Sequence, residues 1–174
     1  SVAGATLSLE AVFWQDGRNH RASFDIAAPA STALEFDVIN GAVSVVGMSS
    51  GAAMSVTNGA VDIQDTHGDV DVGLTNGTDT VRNHSGSAAV DLVNGSVDCD
   101  VAQLGEQESV DLSAVSGEIT LWLPEDVSAT FDVTASAGSR DAAVTGFDAV
   151  TYSRQTSTHK RGRIGAGDAA VEVH

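Results

Sequence analysis

The dipeptide Asn-Gly recurs in this chain at a constant spacing of 18 residues, and this repeat constrains the fold more than any other feature of the sequence. The four copies are Asn40-Gly41, Asn58-Gly59, Asn76-Gly77 and Asn94-Gly95. Further glycines lie about halfway between them, so the unit is about nine residues and two units make one period. The pattern returns at Ser116-Gly117, four residues late, which predicts an inserted loop at residues 103–109.

Between the glycines, apolar residues alternate with polar ones at a period of two, which is typical of β-strands, and no window shows the period of a helix. The positions predicted to face inward after each Asn-Gly include Val43, Val61 and Val97, whereas the equivalent position in the third copy is Asp79. The inward positions before each Asn-Gly are apolar in every copy. We therefore expect short strands with one unusual carboxyl group in their core.

Strands of equal length at a constant 18-residue period predict an all-β fold, a β-solenoid in which each coil has two strands. Asn-Gly is also the strongest hairpin signal, so an antiparallel β-meander or sandwich is the alternative. Within one domain we expect an N-terminal strand or cap at 1–33, the repeat body at 34–123, and capping strands with a basic loop at 124–174. Aromatic residues lie almost entirely outside the repeat body, which predicts aromatic-rich caps at both ends.

In a solenoid the four asparagines stand in one column, about 4.8 Å apart, where their amides can form a hydrogen-bonded ladder. The paired glycines then supply the positive φ that each corner requires. Three Asn-x-Ser/Thr sequons, at Asn76, Asn83 and Asn94, are candidate glycosylation sites. The alternative is that such turns generate sequons by chance, with Asn76 and Asn94 already occupied by the ladder.

The composition excludes several classes of function. The chain has 24 acidic and 8 basic residues, giving a formal net charge of −16, which repels phosphate backbones and anionic lipid. We expect no nucleic-acid partner and no membrane insertion, since no apolar run approaches the roughly 18 residues of a span. The excess of aspartate and the single lysine indicate an acidic, halophilic protein. The single cysteine, Cys99, excludes an internal disulfide and a multi-thiolate metal site.

The candidate sites for metals and catalysis are weak. The Gly-Gly-x-Gly-x-Asp pattern of calcium-binding β-rolls does not occur, and His67 and His84, which flank equivalent turns, have no third ligand in the sequence pattern. Cys99 falls at a core-facing position, where cysteine behaves as a small hydrophobe. We expect no catalytic residues, no metal and no cofactor. A polysaccharide-active enzyme is a weaker alternative, because such enzymes carry long loops and aromatic residues along their coils.

The repeat resembles the adhesin family of β-strand repeat proteins, a domain of unknown function in bacteria and archaea. The likeness lies in the iterated Asn-Gly-x-Val-x-Val pattern of residues 38–101, in the Ser-Gly-Glu-Ile-Thr-Leu-Trp-Leu-Pro segment at 116–124, and in Ile-Gly-x-Gly at 164–167. The resemblance spans roughly residues 34–173. It implies a right-handed β-solenoid at the cell envelope, extracellular or on the cell surface, and it brings no catalytic residues.

These observations predict a non-catalytic, adhesin-like structural protein that assembles with itself into a surface filament by strand addition. The donor strand would be the apolar N-terminal segment with Val2, Leu7, Leu9, Val12 and Trp14. A basic segment with Arg154, Lys160, Arg161 and Arg163 would set the register against an acidic wall, of its own chain or of the next. The partner is then a second copy or an envelope component. The alternative is a monomeric module that binds an envelope ligand or senses envelope stress.

Overall fold

A computed structural model describes residues 26–134 and 150–174, and these residues form an all-β fold. The predicted donor strand, with Val2, Leu7, Leu9, Val12 and Trp14, lies outside the described residues. In the described part, no helix is long and apolar enough to cross a membrane. The strands are β1 (Leu34–Val46), β2 (Ala52–Gln64), β3 (Val70–Ser85), β4 (Ala88–Gln103), β5 (Ser109–Trp122), β6 (Ala129–Thr134), β7 (Val150–Gln155), β8 (His159–Ile164) and β9 (Ala169–Val173).

Strands β1 to β5 are successive coils of a β-solenoid. Each pairs in parallel with the next, and the partners of Asn58 are Asn40 below and Asn76 above, which is the 18-residue register predicted from the sequence. An antiparallel meander would require the opposite strand direction, so the solenoid prediction is confirmed. The extra four residues before β5 lie in the connection after β4, and Asn94 pairs with Ser116.

Each of the four coils that contain an Asn-Gly pair bends at that pair. In β2 the buried side chains are Met54 and Val56 before the pair and Val61 and Ile63 after it, so the buried positions change from even to odd across the corner. A straight strand would keep one parity. The bend therefore directs both halves of each coil toward the same core, and successive coils add matching layers to it.

The C-terminal strands extend the sheet in an order that the repeat does not predict. The strand order is β1-β2-β3-β4-β5-β9-β6-β8-β7, so the last strand, β9, is inserted between the fifth coil and β6. It pairs in parallel with both neighbours. Strands β6, β8 and β7 are joined by antiparallel pairing. Phe131 of β6 packs edge to face on Tyr152 of β7, with ring centroids 5.7 Å apart, which gives this end the predicted aromatic packing.

Candidate functional site

The asparagines of the first corner form a continuous ladder along the outside of the stack. The Asn58 amide donates to the Asn40 side-chain oxygen at 3.0 Å, Asn76 donates to Asn58 at 2.9 Å, and Asn94 donates to Asn76 at 3.0 Å. The inner two asparagines each donate and accept, while Asn40 only accepts and Asn94 only donates. The ladder therefore has a direction from one end of the stack to the other.

The glycines of this corner are required by close backbone stacking. A Cβ atom on Gly77 would lie 1.8 Å from the Gly59 carbonyl oxygen, and one on Gly59 would lie 1.6 Å from that of Gly41. Gly95 repeats the arrangement on Gly77, and all four glycines have positive φ angles between 142° and 158°. Each corner thus rests directly on the corner below it, and any side chain there would separate the coils.

A second polar contact links neighbouring coils at the opposite corner. Gly47, Asp65 and Asn83 occupy equivalent positions in successive coils and all have positive φ angles, of 72°, 52° and 51°. The Asn83 side-chain amide donates a hydrogen bond to the Asp65 carboxylate at 2.5 Å. All three predicted sequon asparagines therefore make contacts between coils. Their glycosylation stays a prediction that nothing in these contacts tests.

Inside this second corner lies a column that the sequence analysis missed. Met48, Thr66, His84 and Val101 follow one another in successive coils, and all four are buried. His84 Nδ1 lies 3.0 Å from the Thr66 hydroxyl, and Nε2 lies 3.1 Å from the Ser87 carbonyl oxygen. Because a carbonyl can only accept, Nε2 carries the proton. Burial lowers the pKa of His84, and both of its ring nitrogens have partners within the fold, whereas His67 is exposed.

Asp79 occupies the inward position where the neighbouring coils have Val61 and Val97. Its side chain is fully buried, and neither carboxylate oxygen accepts a hydrogen bond of regular geometry, although the backbone N–H of Thr80 lies nearby. The pKa of Asp79 is raised to about 7, mainly by burial. The backbone N–H of Thr80 opposes this effect in part, and the negative charge of Asp62 adds to it. The same environment raises the pKa of the buried Cys99 thiol to about 12, so this cysteine is not a reactive thiolate near neutral pH.

The outer wall of the second half-coils carries the predicted alternation of Ser44, Asp62, Thr80, Asp98 and Thr120 as direct cross-strand neighbours. Each aspartate is thus flanked by hydroxyl residues rather than by another carboxylate, which limits repulsion across the sheet. Arg82 also forms an ion pair with Asp62 at 2.9 Å. Because both side chains are largely exposed, we expect this pair to contribute little to stability.

The predicted basic segment forms strand β8 and the end of β7. Asp132 of β6, which the sequence analysis did not single out, lies 2.7 Å from His159 and 3.1 Å from Arg161. Lys160 donates to the Thr156 carbonyl, and the Arg163 side chain lies beside Gly167. Arg161 of the basic segment therefore contacts an acidic side chain of its own chain. Arg154 contacts His159 Nδ1 at 3.2 Å and lies at the outer strand, β7.

Within the described residues the nine-stranded sheet has two edge strands, β1 and β7. Following the pairings from β1 to β7 shows that these two strands run in the same direction. Glu35 and Asp37 are exposed on β1, whereas Arg154 is exposed on β7. The two edges thus have opposite charge.

A family model described as Toastrack DUF4097 matches residues 30–174 of the chain. The matched range contains all five coils and all the C-terminal strands. No curated protein and no solved structure matches the chain. The match concerns the family and its fold, and carries no statement about adhesion.

Proposed function

The chain belongs to the Toastrack DUF4097 family of β-repeat domains, and from this premise we propose that it is a non-catalytic structural protein of the cell surface. It is an adhesin-like β-solenoid that joins copies of itself into a filament by strand addition. The observation that supports this proposal most strongly is that β1 and β7, the edge strands of the described sheet, run in the same direction and carry opposite charge. Equal direction is what head-to-tail stacking by simple translation requires.

The joint between two copies forms by parallel pairing at these edges. The N-terminal segment of one copy, from Val2 to Trp14, adds as a strand to the β7 edge of the next copy. Arg154 on β7 and the acidic edge marked by Glu35 and Asp37 then lie on either side of the added strand, and their opposite charges set the register. Unpaired backbone N–H and C=O groups along an edge strand are a template for such pairing.

A structural rather than catalytic role is supported by the positions of the titratable groups. Strongly shifted pKa values usually mark active sites when the group lies in a cleft. Among residues 26–134 and 150–174 the shifted groups, Asp79, His84 and Cys99, are all buried in the core, where no substrate reaches them. The acidic surface suits an extracellular, saline environment, where a high negative charge keeps a protein hydrated.

The test of assembly is sedimentation velocity of the full chain and of four variants. Deletion of Ser1–Trp14 should leave a folded monomer, because it removes the donor strand while β1–β5 remain. Replacing Arg154 with Glu should weaken association, and combining it with Glu35→Lys and Asp37→Lys should restore it. Arg82→Glu, a charge reversal away from both edges, is the matched control and should associate as the original chain does. A deletion variant that still polymerises would refute donor-strand assembly.

A second candidate is a monomeric module that binds an envelope ligand or senses envelope stress. It is favoured by two large apolar side chains at the last coil, Trp122 and Val115, which are 61% and 74% exposed. Exposed tryptophan is enriched at binding surfaces because it buries a large area at low entropic cost. The test is whether the immobilised monomeric chain retains a component of envelope fractions. If Trp122→Ala abolishes this retention and leaves the chain monomeric, the result would support this candidate over the filament.

A further inference from the structure

Three side chains with different metal-binding groups converge where β9 meets the fifth coil. Asp111 of β5 and Glu172 of β9 are direct partners in the parallel ladder. His174 follows two residues after Glu172, so its side chain projects from the same face of the sheet. The His174 backbone is held by two hydrogen bonds of 2.9 Å, to Leu112 and from Ala114. The strand pairing, rather than a loop, therefore brings the three groups together.

We propose that Asp111, Glu172 and His174 form a binding site for a divalent transition-metal ion of the Zn²⁺ type. One ligand atom from each residue lies within 4.8 Å of the other two. Tetrahedral ligands at zinc bond lengths are about 3.3 Å apart, so small side-chain rotations bring all three into the first coordination sphere. All three residues are exposed, which leaves the remaining positions to water.

The donor set selects the class of ion. Two carboxylates and one imidazole suit Zn²⁺ and its neighbours in the first transition row, whereas Ca²⁺ and Mg²⁺ take oxygen ligands almost exclusively. The histidine is the discriminating residue, because without it the pair Asp111 and Glu172 would be one more acidic patch on an acidic wall.

The local charges also favour a cation at this position. Two carboxylates directly opposite each other on neighbouring strands repel, and a divalent ion between them removes that cost. Two other described aspartates have arginine partners, since Asp62 pairs with Arg82 and Asp132 with Arg161. Asp111 has no lysine or arginine partner among the described ion pairs, and Glu172 has only His174, at 3.6 Å.

An ion at this site would connect two strands that are far apart in sequence. Strand β9 is short and lies between the coil stack and β6, so its pairing with β5 joins the repeat body to the C-terminal strands. A metal bound by Asp111 of β5, by Glu172 of β9 and by His174, which follows β9, would bridge this junction. The predicted consequence is that bound metal protects the backbone amides of β9 from hydrogen exchange.

Isothermal titration of the full chain with zinc chloride tests the site. We expect saturable binding of one ion per chain, weakened at least about tenfold by His174→Gln or Asp111→Asn. His67→Gln, which removes an exposed imidazole from the opposite corner, is the matched control and should bind as the original chain does. Absence of saturable binding, or binding that His174→Gln leaves unchanged, would overturn the proposal.

Hydrogen exchange supplies a readout that separates a bridging ion from loose surface binding. With free zinc at about 100 times the dissociation constant, opening of β9 should become about 100-fold rarer, because the ion binds only the closed pair. The His174→Gln variant should show no such protection. Zinc that binds one to one but leaves exchange in β9 unchanged would contradict the bridging geometry.

Discussion

Replacing Gly77 with Ala should strongly destabilise the coil stack. The new methyl group would lie 1.8 Å from the Gly59 carbonyl oxygen, and the backbone φ of +148° is one that L-residues rarely adopt. Backbone strain contributes about 1 to 3 kcal/mol, and separation of the coils by overpacking contributes about as much again. We expect a loss of about 4 kcal/mol in the free energy of unfolding.

Gly73→Ala is the matched control for this substitution. Gly73 lies in the same strand, has no positive φ, and an added Cβ would come only to 4.0 Å from the Met54 carbonyl oxygen. This variant should be stabilised by roughly 0.5 kcal/mol, because alanine loses less backbone entropy on folding than glycine does. The two substitutions should therefore differ by more than about 4 kcal/mol although their chemistry is the same.

Urea unfolding followed by circular dichroism measures both variants, provided that the slope of the transition is unchanged. Gly41→Ala extends the series, since Gly41 lies in the first described coil and its added Cβ would meet only a Val38 methyl group at 3.4 Å. We expect its cost to lie between those of the other two. A loss of only about 1 kcal/mol for Gly77→Ala is what an isolated hairpin turn would show, and it would refute the stacked corners.

Three further predictions concern the buried acid, the ladder and the buried histidine. Because the pKa of Asp79 rises from 3.8 to about 7 on folding, the folded chain holds a proton that the unfolded chain releases. The free energy of unfolding should therefore fall by up to about 4 kcal/mol as the pH rises from about 4 to 7. Urea unfolding at pH 5 and pH 8 measures this pH dependence, and Asp79→Val should abolish the part that comes from Asp79. Asn76→Ala removes two ladder bonds and Asn94→Ala removes one, so we expect losses of about 2 and 1 kcal/mol in the same assay; equal losses would contradict the ladder. Because burial lowers the pKa of His84, the unfolded chain binds this proton first, and stability should fall as the pH drops below about 6.5. Comparing the pH dependence of the original chain with that of His84→Met isolates this component, and identical profiles would contradict the buried neutral imidazole.

Much of the repeat body is predictable from the sequence, because its information is local and periodic. The 18-residue step of Asn-Gly sets the register of every parallel pair, and the alternation of Val61, Asp62 and Ile63 shows which side chains face inward. Even the exception is visible, since Asp79 interrupts an otherwise apolar column. Such features follow from strand geometry alone.

The second corner and the C-terminal strands were not predictable in the same way. Met48, Thr66 and His84 share the 18-residue spacing but not a chemical type, so a search for similar residues does not find their column. The insertion of β9 between β5 and β6 depends on pairings between distant segments, such as Ala129 with Ala169. Strands of five or six residues carry too few alternating side chains for the sequence pattern to specify such pairings.

For the basic segment, too, the sequence predicts the charge but not the contacts. Its positive charge is evident from the sequence. Its ion-pair partner, Asp132, lies on a different strand and is identified only from the pairing of β6 with β8. The Zn²⁺-type site combines Asp111 with two residues more than 60 positions later, and sequence spacing gives no reason to group them.

Electron microscopy of the purified chain across a range of salt concentrations, with fibre diffraction of any aligned assemblies, tests the central proposal most directly. Coils stacked along the filament axis should give regular filaments with a reflection at about 4.8 Å parallel to that axis, because neighbouring strands are spaced at that distance. Filaments with this axial spacing, lost on deletion of Ser1–Trp14, are the result that we predict. Monodisperse monomers at every salt concentration would contradict self-assembly.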